Sequence, residues 1–388
     1  MMRTLVAIAD DGEFRQAVQQ WFVASYQQFA QTWQDTATPQ DLDYRRAWED
    51  WLCSQGCAGL GWPHEYGGHA LSLARQAMVY EALARSGAPL GVNLIGHGIL
   101  APTLLHFGSD AQKARFLPGI LANTEVWCQG YSEPGAGSDL AAVRTHAEHT
   151  ADGWVLHGHK IWTSFADRAQ WCFVLARTDV RANRHQGLSI FLVDMRSPGV
   201  RVEPIRQING ASEFCEVFFE NVRVADDLLL GSIDQGWRIA MAAASFERGT
   251  YFVPRLIRLA QELDTLRELM INQDEDRCDG SWRQRWARLV IDSDVLQLKS
   301  QRALARAIRG DPPGPEGSST KVHWSESHQR LLELAMECLG ARVCLPHDAL
   351  AQDFSYAYLQ SRAETILAGT SEIQRNIIAE HVLGLPKG

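Results

Sequence analysis

The sequence predicts a multidomain α+β protein. A helical N-terminal domain covers 1–125, a middle antiparallel β-sandwich or barrel covers 126–233, and a helical bundle covers 234–388. Two observations carry this. Long amphipathic stretches with helical apolar spacing occupy both ends of the chain. Between them lie short β-rich runs bounded by Gly, Asp, Asn or Pro, with no helical stretch separating them.

In chain order, Phe14 to Phe29 is amphipathic and free of Gly and Pro, and Tyr44 to Leu52 and Leu73 to Ser86 repeat the pattern. Gly59 to Gly68 interrupts it as a loop, and Ala111 to Leu121 adds a short helix stopped at Asn123. The β-rich runs are Trp154 to Leu156, Trp171 to Ala176, Leu188 to Val193, Val200 to Val202 and Cys215 to Val224. After Gly236, Trp237 to Met270 and Trp282 to Arg309 read as long helices, and Gly310 to Gly317 as a connector. Lys321 to Leu339, Phe354 to Leu367 and Ser371 to Val382 complete the bundle.

The 388 residues are 46% hydrophobic and 21% charged, an ordinary globular composition with length for a large core. The net charge of −9 comes without a basic tract, which argues against nucleic acid as a partner. The eight cysteines, at 53, 57, 128, 172, 215, 278, 338 and 344, contain no CxxC pair, and the histidines form no HExxH, so no metal site is expected. Scattered cysteines fit a reducing cytoplasm. The first twelve residues are too short and too acidic an apolar run for a signal peptide, and no run approaches a membrane span.

Three strings carry the chemistry. Tyr131-Ser132-Glu133-Pro134-Gly135-Ala136-Gly137-Ser138-Asp139 combines a fixed φ at Pro134 with free backbone at Gly135 and Gly137, making a stiff turn that offers N–H groups and hydroxyls. Taken alone, it reads equally well as a solvated turn. Gly158-His159-Lys160-Ile161-Trp162-Thr163-Ser164 places an indole among hydroxyls, which suits a flat conjugated ring; a core tryptophan is the competing reading. In Ala368-Gly369-Thr370-Ser371-Glu372-Ile373-Gln374-Arg375, Gly369 ends one helix and Ser371-x-x-Gln374 fits a capping box for the next. Such a helix start favours an anionic group, although a plain helix–helix turn has the same signature.

In this order and on this architecture, the three strings resemble the acyl-CoA dehydrogenase family over about Glu13 to Leu385. The resemblance implies FAD, an acyl thioester on CoA or a carrier protein, and oxidation to the α,β-unsaturated product. In that chemistry a carboxylate removes the α-proton and the β-hydrogen leaves as hydride to the flavin N5. By position, Gln129, Ser132, Ser138, Trp162 and Ser164 would line the flavin or thioester, and Thr370 and Glu372 would contact the cofactor. Ser138 would also help hold the pantetheine end, and Arg248 would lie near the carrier moiety. The family further implies an acceptor such as electron-transfer flavoprotein and a homo-oligomer, dimer or tetramer; some bacterial relatives instead pair two different subunits.

Many members place the catalytic glutamate immediately before the Gly-Thr of the third string, where this chain has Ala368. Another branch carries it on the long helix after the β domain, before an arginine; here that string is Phe246-Glu247-Arg248-Gly249. Glu247 is therefore the expected base. It follows the largely apolar Ala240 to Phe246, and an apolar setting raises a carboxyl pKa and strengthens it as a base. Ala368 keeps the backbone N–H that, in the family, holds the thioester carbonyl together with a ribityl hydroxyl. Tyr251 and Phe252 either shorten the acyl pocket or pack the bundle.

Two strings depart from the family. The Arg277 to Arg285 stretch lacks an Arg-x-x-Phe-Gly, and Glu337-Cys338-Leu339-Gly340-Ala341 stands where relatives have Gln-x-x-Gly-Gly, so the adenine-end contacts stay unassigned. A flavin oxidase or monooxygenase on the same fold, and a non-catalytic subunit of a heteromeric dehydrogenase, are the alternative functions.

Overall fold

The computed structural model describes residues 1–33, 40–247, 253–272, 280–311 and 314–386. They belong to two compact units, Met1–Tyr251 and Phe252–Gly388.

In the first unit, α1 (Met2–Val6) leads to α2 (Asp11–Gln31), whose N-cap Asp10 accepts the Glu13 N–H at 2.8 Å. Phe14, Val18, Phe22 and Phe29 recur at helical spacing and pack against Tyr44 and Trp48 of α3 (Leu42–Ser54) and Val79 of α4 (Leu73–Arg85). Full burial of each such side chain contributes roughly 1.5–3 kcal/mol. A π turn at Gly96–Leu100 runs into α5 (Ala101–Phe107), and α6 (Asp110–Leu121) starts at a capping box of Ser109 and Gln112.

The strands are β1 (Trp127–Gly130), β2 (His146–Thr150), β3 (Gly153–Ser164), β4 (Trp171–Arg177), β5 (Leu188–Asp194), β6 (Val200–Ile205), β7 (Phe214–Val224) and β8 (Leu229–Leu230). They form one sheet in the order β6-β7-β3-β2-β4-β5-β8, with β1 on β4. The sheet is mixed rather than wholly antiparallel. β1 lies parallel to β4, and β2 touches β4 in parallel at His146 and Arg177. The β2–β3 hairpin, sitting between β1 and β4 in the chain, gives the long connection that a parallel pair needs.

Both faces of the central strands are buried. Phe173, Leu175, Ile190 and Leu192 join Leu100, Phe116 and Trp127, whereas Cys172, Val174, Phe191 and Val193 join Cys215 and Val217. The β3–β7 ladder has two irregularities. Between Leu156 and Gly158 the extra residue lies on β7, and between Lys160 and Thr163 it lies on β3.

Helix α7 (Gly236–Glu247) closes the first unit, with Ile239, Ala240 and Ala243 fully buried in the cluster that holds Leu188 and Ile190. The sequence reading ran one helix from 237 to 270. The structure describes helix up to Glu247 in α7 and again in α8 (Val253–Ile271), which has Pro254 in its first turn, where a missing N–H is harmless.

The second unit packs α8 with α9 (Gly280–Ile308), α10 (Glu316–Leu339) and α11 (Ala349–Glu364) around Leu266, Leu296, Leu331 and Ala335. Its last helix, α12 (Ser371–Ile377), passes into a π turn at Ile378–Val382, so the stretch expected to be one α-helix changes winding halfway.

Candidate active site

The first string leaves β1 and folds against β3. Gln129 sits on β1 opposite Phe173, and the Ser132 carbonyl accepts the Ile161 N–H at 2.9 Å. Glu133 and Ala136 exchange backbone hydrogen bonds of 3.0 Å each way, closing a turn over Pro134 and Gly135. A Cβ added at Gly135 or Gly137 would meet nothing within 4 Å, so the outer side of this loop is open. Ser138 is exposed, and the adjacent Asp139 pairs with Arg184.

Beneath the loop lies a buried ion pair. Lys160, fully buried on β3, donates to Glu133 at 2.8 Å and to the Tyr131 carbonyl at 3.0 Å. Glu133 also accepts the Arg144 and Thr145 N–H groups at 2.6 and 2.8 Å. Burial pushes the Lys160 ammonium down to about 8, partly offset by Glu133. Burial works against the Glu133 carboxylate as well, but Lys160 and the hydrogen bonds hold its pKa below the ordinary value. Both residues stand inside the first two strings. Sequence reasoning gave neither a role, because nothing local says that a lysine on one strand will be buried under a loop 27 residues earlier.

Trp162 is the extra residue region of β3 made visible. Its φ is +61°, the residue is 56% exposed, and its ring stands edge-on to Phe214 at 6.1 Å. Left-handed backbone in a bulky residue is strained, and such strain concentrates at functional positions. Ser164 ends the strand opposite Phe214, followed by Phe165 at φ +55°. Arg45 of α3 pairs with Glu213, donates to the Leu90 carbonyl at 2.9 Å, and lies 5.4 Å from the Phe165 ring centroid. The Phe165 N–H in turn bonds the Glu213 carbonyl at 2.7 Å. The structure thus brings Gln129, Ser132, Trp162 and Ser164 to neighbouring ends of β1 and β3, with an open loop beside an exposed, pinned indole. A flat ring with a polar edge, such as the isoalloxazine of FAD, fits these residues.

Glu247 is the last residue of α7, one to two turns beyond the buried Ala240 and Ala243. Arg248, Tyr251 and Phe252 lie outside the described residues.

In the second unit, Ala368 and Gly369 have φ of +53° and +90°. The cap of α12 is Thr370, not Ser371: the Thr370 hydroxyl accepts the Ile373 N–H at 3.2 Å. The predicted capping box fails because Ser371 is already helical, one place inside. The Gln374 carboxamide instead reaches past the cap to the Ala368 carbonyl, at 2.9 Å. Glu372 is exposed in the first helical turn. A hydrogen bond to its own backbone, then the Thr370 hydroxyl and the Arg375 and Lys321 charges, lower its pKa. The altered adenine-end string is engaged elsewhere, with Glu337 bound two-pronged by Arg285 at 2.5 and 2.9 Å.

Comparison with known proteins bears on all of this. Family models described as acyl-CoA dehydrogenase N-terminal, middle and C-terminal domains match residues 9–124, 128–222 and 234–383. The acyl-CoA dehydrogenase IpdE1 of Mycobacterium tuberculosis is 46% identical over 350 residues, 89% of each chain. Its namesake in Mycolicibacterium smegmatis is 42% identical, covering 97% of this chain and 98% of the relative. Among solved structures, the Tcur3481–Tcur3483 steroid ACAD aligns with a TM-score of 0.84 at 26% identity, over 97% of this chain and 98% of that one. The ChsE4–ChsE5 complex from Mycobacterium tuberculosis aligns at 0.83 and 27%, over 98% and 99%. The chain belongs to the acyl-CoA dehydrogenase family, FAD-dependent oxidoreductases acting on CH–CH bonds.

Proposed function

We propose that the chain oxidises an acyl thioester, on CoA or a carrier protein, to its α,β-unsaturated form, with Glu247 as the base. The observation that carries the reading is the exposed Trp162, pinned in left-handed backbone beside Ser132 and Ser164. Bound FAD supplies the acceptor for the β-hydrogen at its ring N5. The residues hold and orient. Gln129, Ser132, Trp162 and Ser164, together with Thr370 and Glu372, contact the cofactor. Ser138 and Arg248 bind the thioester's carrier portion, and the Ala368 N–H donates to the thioester carbonyl. Glu247 takes the α-proton, the duty left vacant by the alanine at 368. The domain limits 1–125, 126–233 and 234–388 go with this assignment.

No helix of the described residues is long and apolar enough to cross a membrane. We place the protein in the cytoplasm, with electron-transfer flavoprotein or a similar carrier as electron acceptor. The commitment of Glu337 to Arg285, where relatives use a glutamine, supports pairing with a related subunit over a homo-oligomer. A steroid ACAD and the two-protein ChsE4–ChsE5 complex among the similar structures point the same way.

The test is anaerobic reduction of the flavin by a thioester panel that includes bulky, steroid-derived acyl groups. Glu247→Gln should slow reduction by at least ~10²-fold, the ordinary worth of general-base catalysis. Near-normal reduction by that variant removes Glu247 from the mechanism. Rapid reoxidation by O₂ with a hydroxylated product would favour the monooxygenase alternative.

A further inference from the structure

The Ala368–Gly369 turn is unusual in two respects. Left-handed backbone is disfavoured for any residue with a Cβ, and a helix end that needs it normally places glycine there. Here the alanine comes first, at φ +53°, and glycine follows at +90°. The cap hydroxyl of Thr370 serves the helix after the turn and does nothing for Ala368. What does hold Ala368 is Gln374. This side chain is fully buried, its Nε2 lies 2.9 Å from the Ala368 carbonyl and 3.5 Å from that of Gly369, and its Oε1 has no hydrogen-bond partner among the described residues. A Cβ on Gly369 would stand 2.3 Å from the same Nε2, so the carboxamide is packed directly against the turn. The arrangement follows from helix geometry. Side chains tilt toward the N-terminus of their helix, so a long residue in the second half-turn of α12 reaches back over the cap.

A buried carboxamide that spends its donor on one carbonyl and leaves its acceptor unused is poorly explained by stability alone, since an unmet buried acceptor is unfavourable. We propose that Gln374 is a positioning residue for the thioester. By holding the Ala368 carbonyl it fixes the plane of the 368–369 peptide and with it the left-handed backbone of Ala368, through which the Ala368 N–H on the preceding peptide is aimed. The inference rests on the reading above, in which the Ala368 N–H donates to the thioester carbonyl. A directed donor is effective only while its orientation is held, because catalysis by such donors depends on geometry set before the reaction.

The test uses Gln374→Met, which keeps length and helix propensity and removes the donor. The flavoprotein should retain its flavin content and melting temperature. Its kcat on the best thioester of the panel should fall about tenfold, the loss of one orienting hydrogen bond, with little change in KM. A second readout needs no turnover. Binding is titrated for a 2-enoyl-CoA and for the alkyl-CoA thioether of equal length, which lacks the carbonyl. Gln374→Met should weaken the first about tenfold and leave the second unchanged. Ala368→Gly, which removes the steric objection to left-handed backbone, should reduce the effect of Gln374→Met.

Equal losses for both ligands, or a wild-type kcat in Gln374→Met, overturn the proposal. A variant that loses flavin or melts early while keeping its turnover per flavin does so too, and assigns Gln374 to stability only. If the wild-type flavoprotein is reduced by no thioester and binds neither ligand, the reading beneath the inference falls and takes the inference with it.

Discussion

Each unit of the molecule buries a charged cluster, and the two respond to burial in opposite ways. In the first, Lys160 faces one carboxylate, Glu133, and its pKa falls to about 8. In the second, His328 on α10 lies between Glu262 of α8 and Glu364 of α11, at 2.8 and 2.7 Å, and its pKa rises to about 10. Burial pushes both cations toward neutrality. One carboxylate, itself shared with two backbone N–H groups, does not overcome that push; two carboxylates do. Position completes the contrast. The Lys160 pair lies beneath the loop that carries Ser132, whereas the His328 cluster ties together three helices of the bundle, with Glu364 four residues before Ala368. The first cluster shapes a site, and the second is a fastener.

The comparison can be broken most readily at His328. His328→Leu leaves the partly buried Glu262 and Glu364 carboxylates facing each other and should cost about 3 kcal/mol, the low end for a broken buried pair, read as a lowered denaturant midpoint. The flavin spectrum of the folded fraction should be unchanged. A midpoint within ~0.5 kcal/mol of wild type would mean that water already reaches the cluster.

Lys160→Met is the gentler lesion, because Glu133 keeps its two backbone donors. A loss of about 2–3 kcal/mol is expected, accompanied by weaker FAD retention in dialysis. Adding Glu133→Gln should restore much of the stability but not the retention, since the loop then keeps only the Ser132–Ile161 backbone bond to β3. Full FAD retention in Lys160→Met would detach the ion pair from the site.

The smallest effect is on pH dependence, where the two clusters have opposite signs. His328 binds its proton more tightly when folded, so its contribution is complete below about pH 6.5 and is lost as pH rises toward about 10. Lys160 holds its proton less tightly when folded, so its penalty is complete below about pH 8 and is relieved toward about 10.5. Each slope is about 1.4 kcal/mol per pH unit inside its window. Stability measured from pH 6.5 to 9, below the range in which the raised thiols of Cys53, Cys57, Cys128 and Cys215 add a further fall, should therefore fall first and then level off. The plateau should become a continued fall in Lys160→Met, and the early fall should vanish in His328→Leu. An unchanged profile in either variant contradicts the corresponding assignment.

The sequence made the helical–β–helical order legible because apolar periodicity and breakers are local signals. It also singled out Gln129, Ser132, Trp162 and Ser164 as candidates, and these lie at neighbouring ends of two strands. What it missed was long-range or conformational. The pairing of Lys160 with Glu133 depends on which loop covers which strand. The parallel placement of β1 depends on a hairpin inserting between partners. Thr370 displaced Ser371 as cap because the left-handed Ala368–Gly369 turn ends directly before it, and a left-handed φ is not written in the residue type when the turn opens on alanine. Pro254 was the one overlooked local signal, since it marks the start of α8 inside what had read as one helix.

The two irregularities of the β3–β7 ladder have a joint consequence. Trp154 faces Val224 and Ser164 faces Phe214, so both strands take the same number of steps between those ends, although each contains an extra residue the other lacks. The extra residue on β7, near Asn221 with φ +56°, slips the pairing by one, and the extra residue on β3, near Trp162, slips it back. Only the segment Gly158 to Lys160 is out of step. The length of this hairpin is thus a matched pair of errors. Deleting one residue near Trp162 would leave the other slip uncorrected and turn the end of β3 over, sending Thr163 outward and Ser164 inward. Deleting one from each strand would give a straighter ladder and a chain that folds, but with no displaced stretch to hold the tryptophan out.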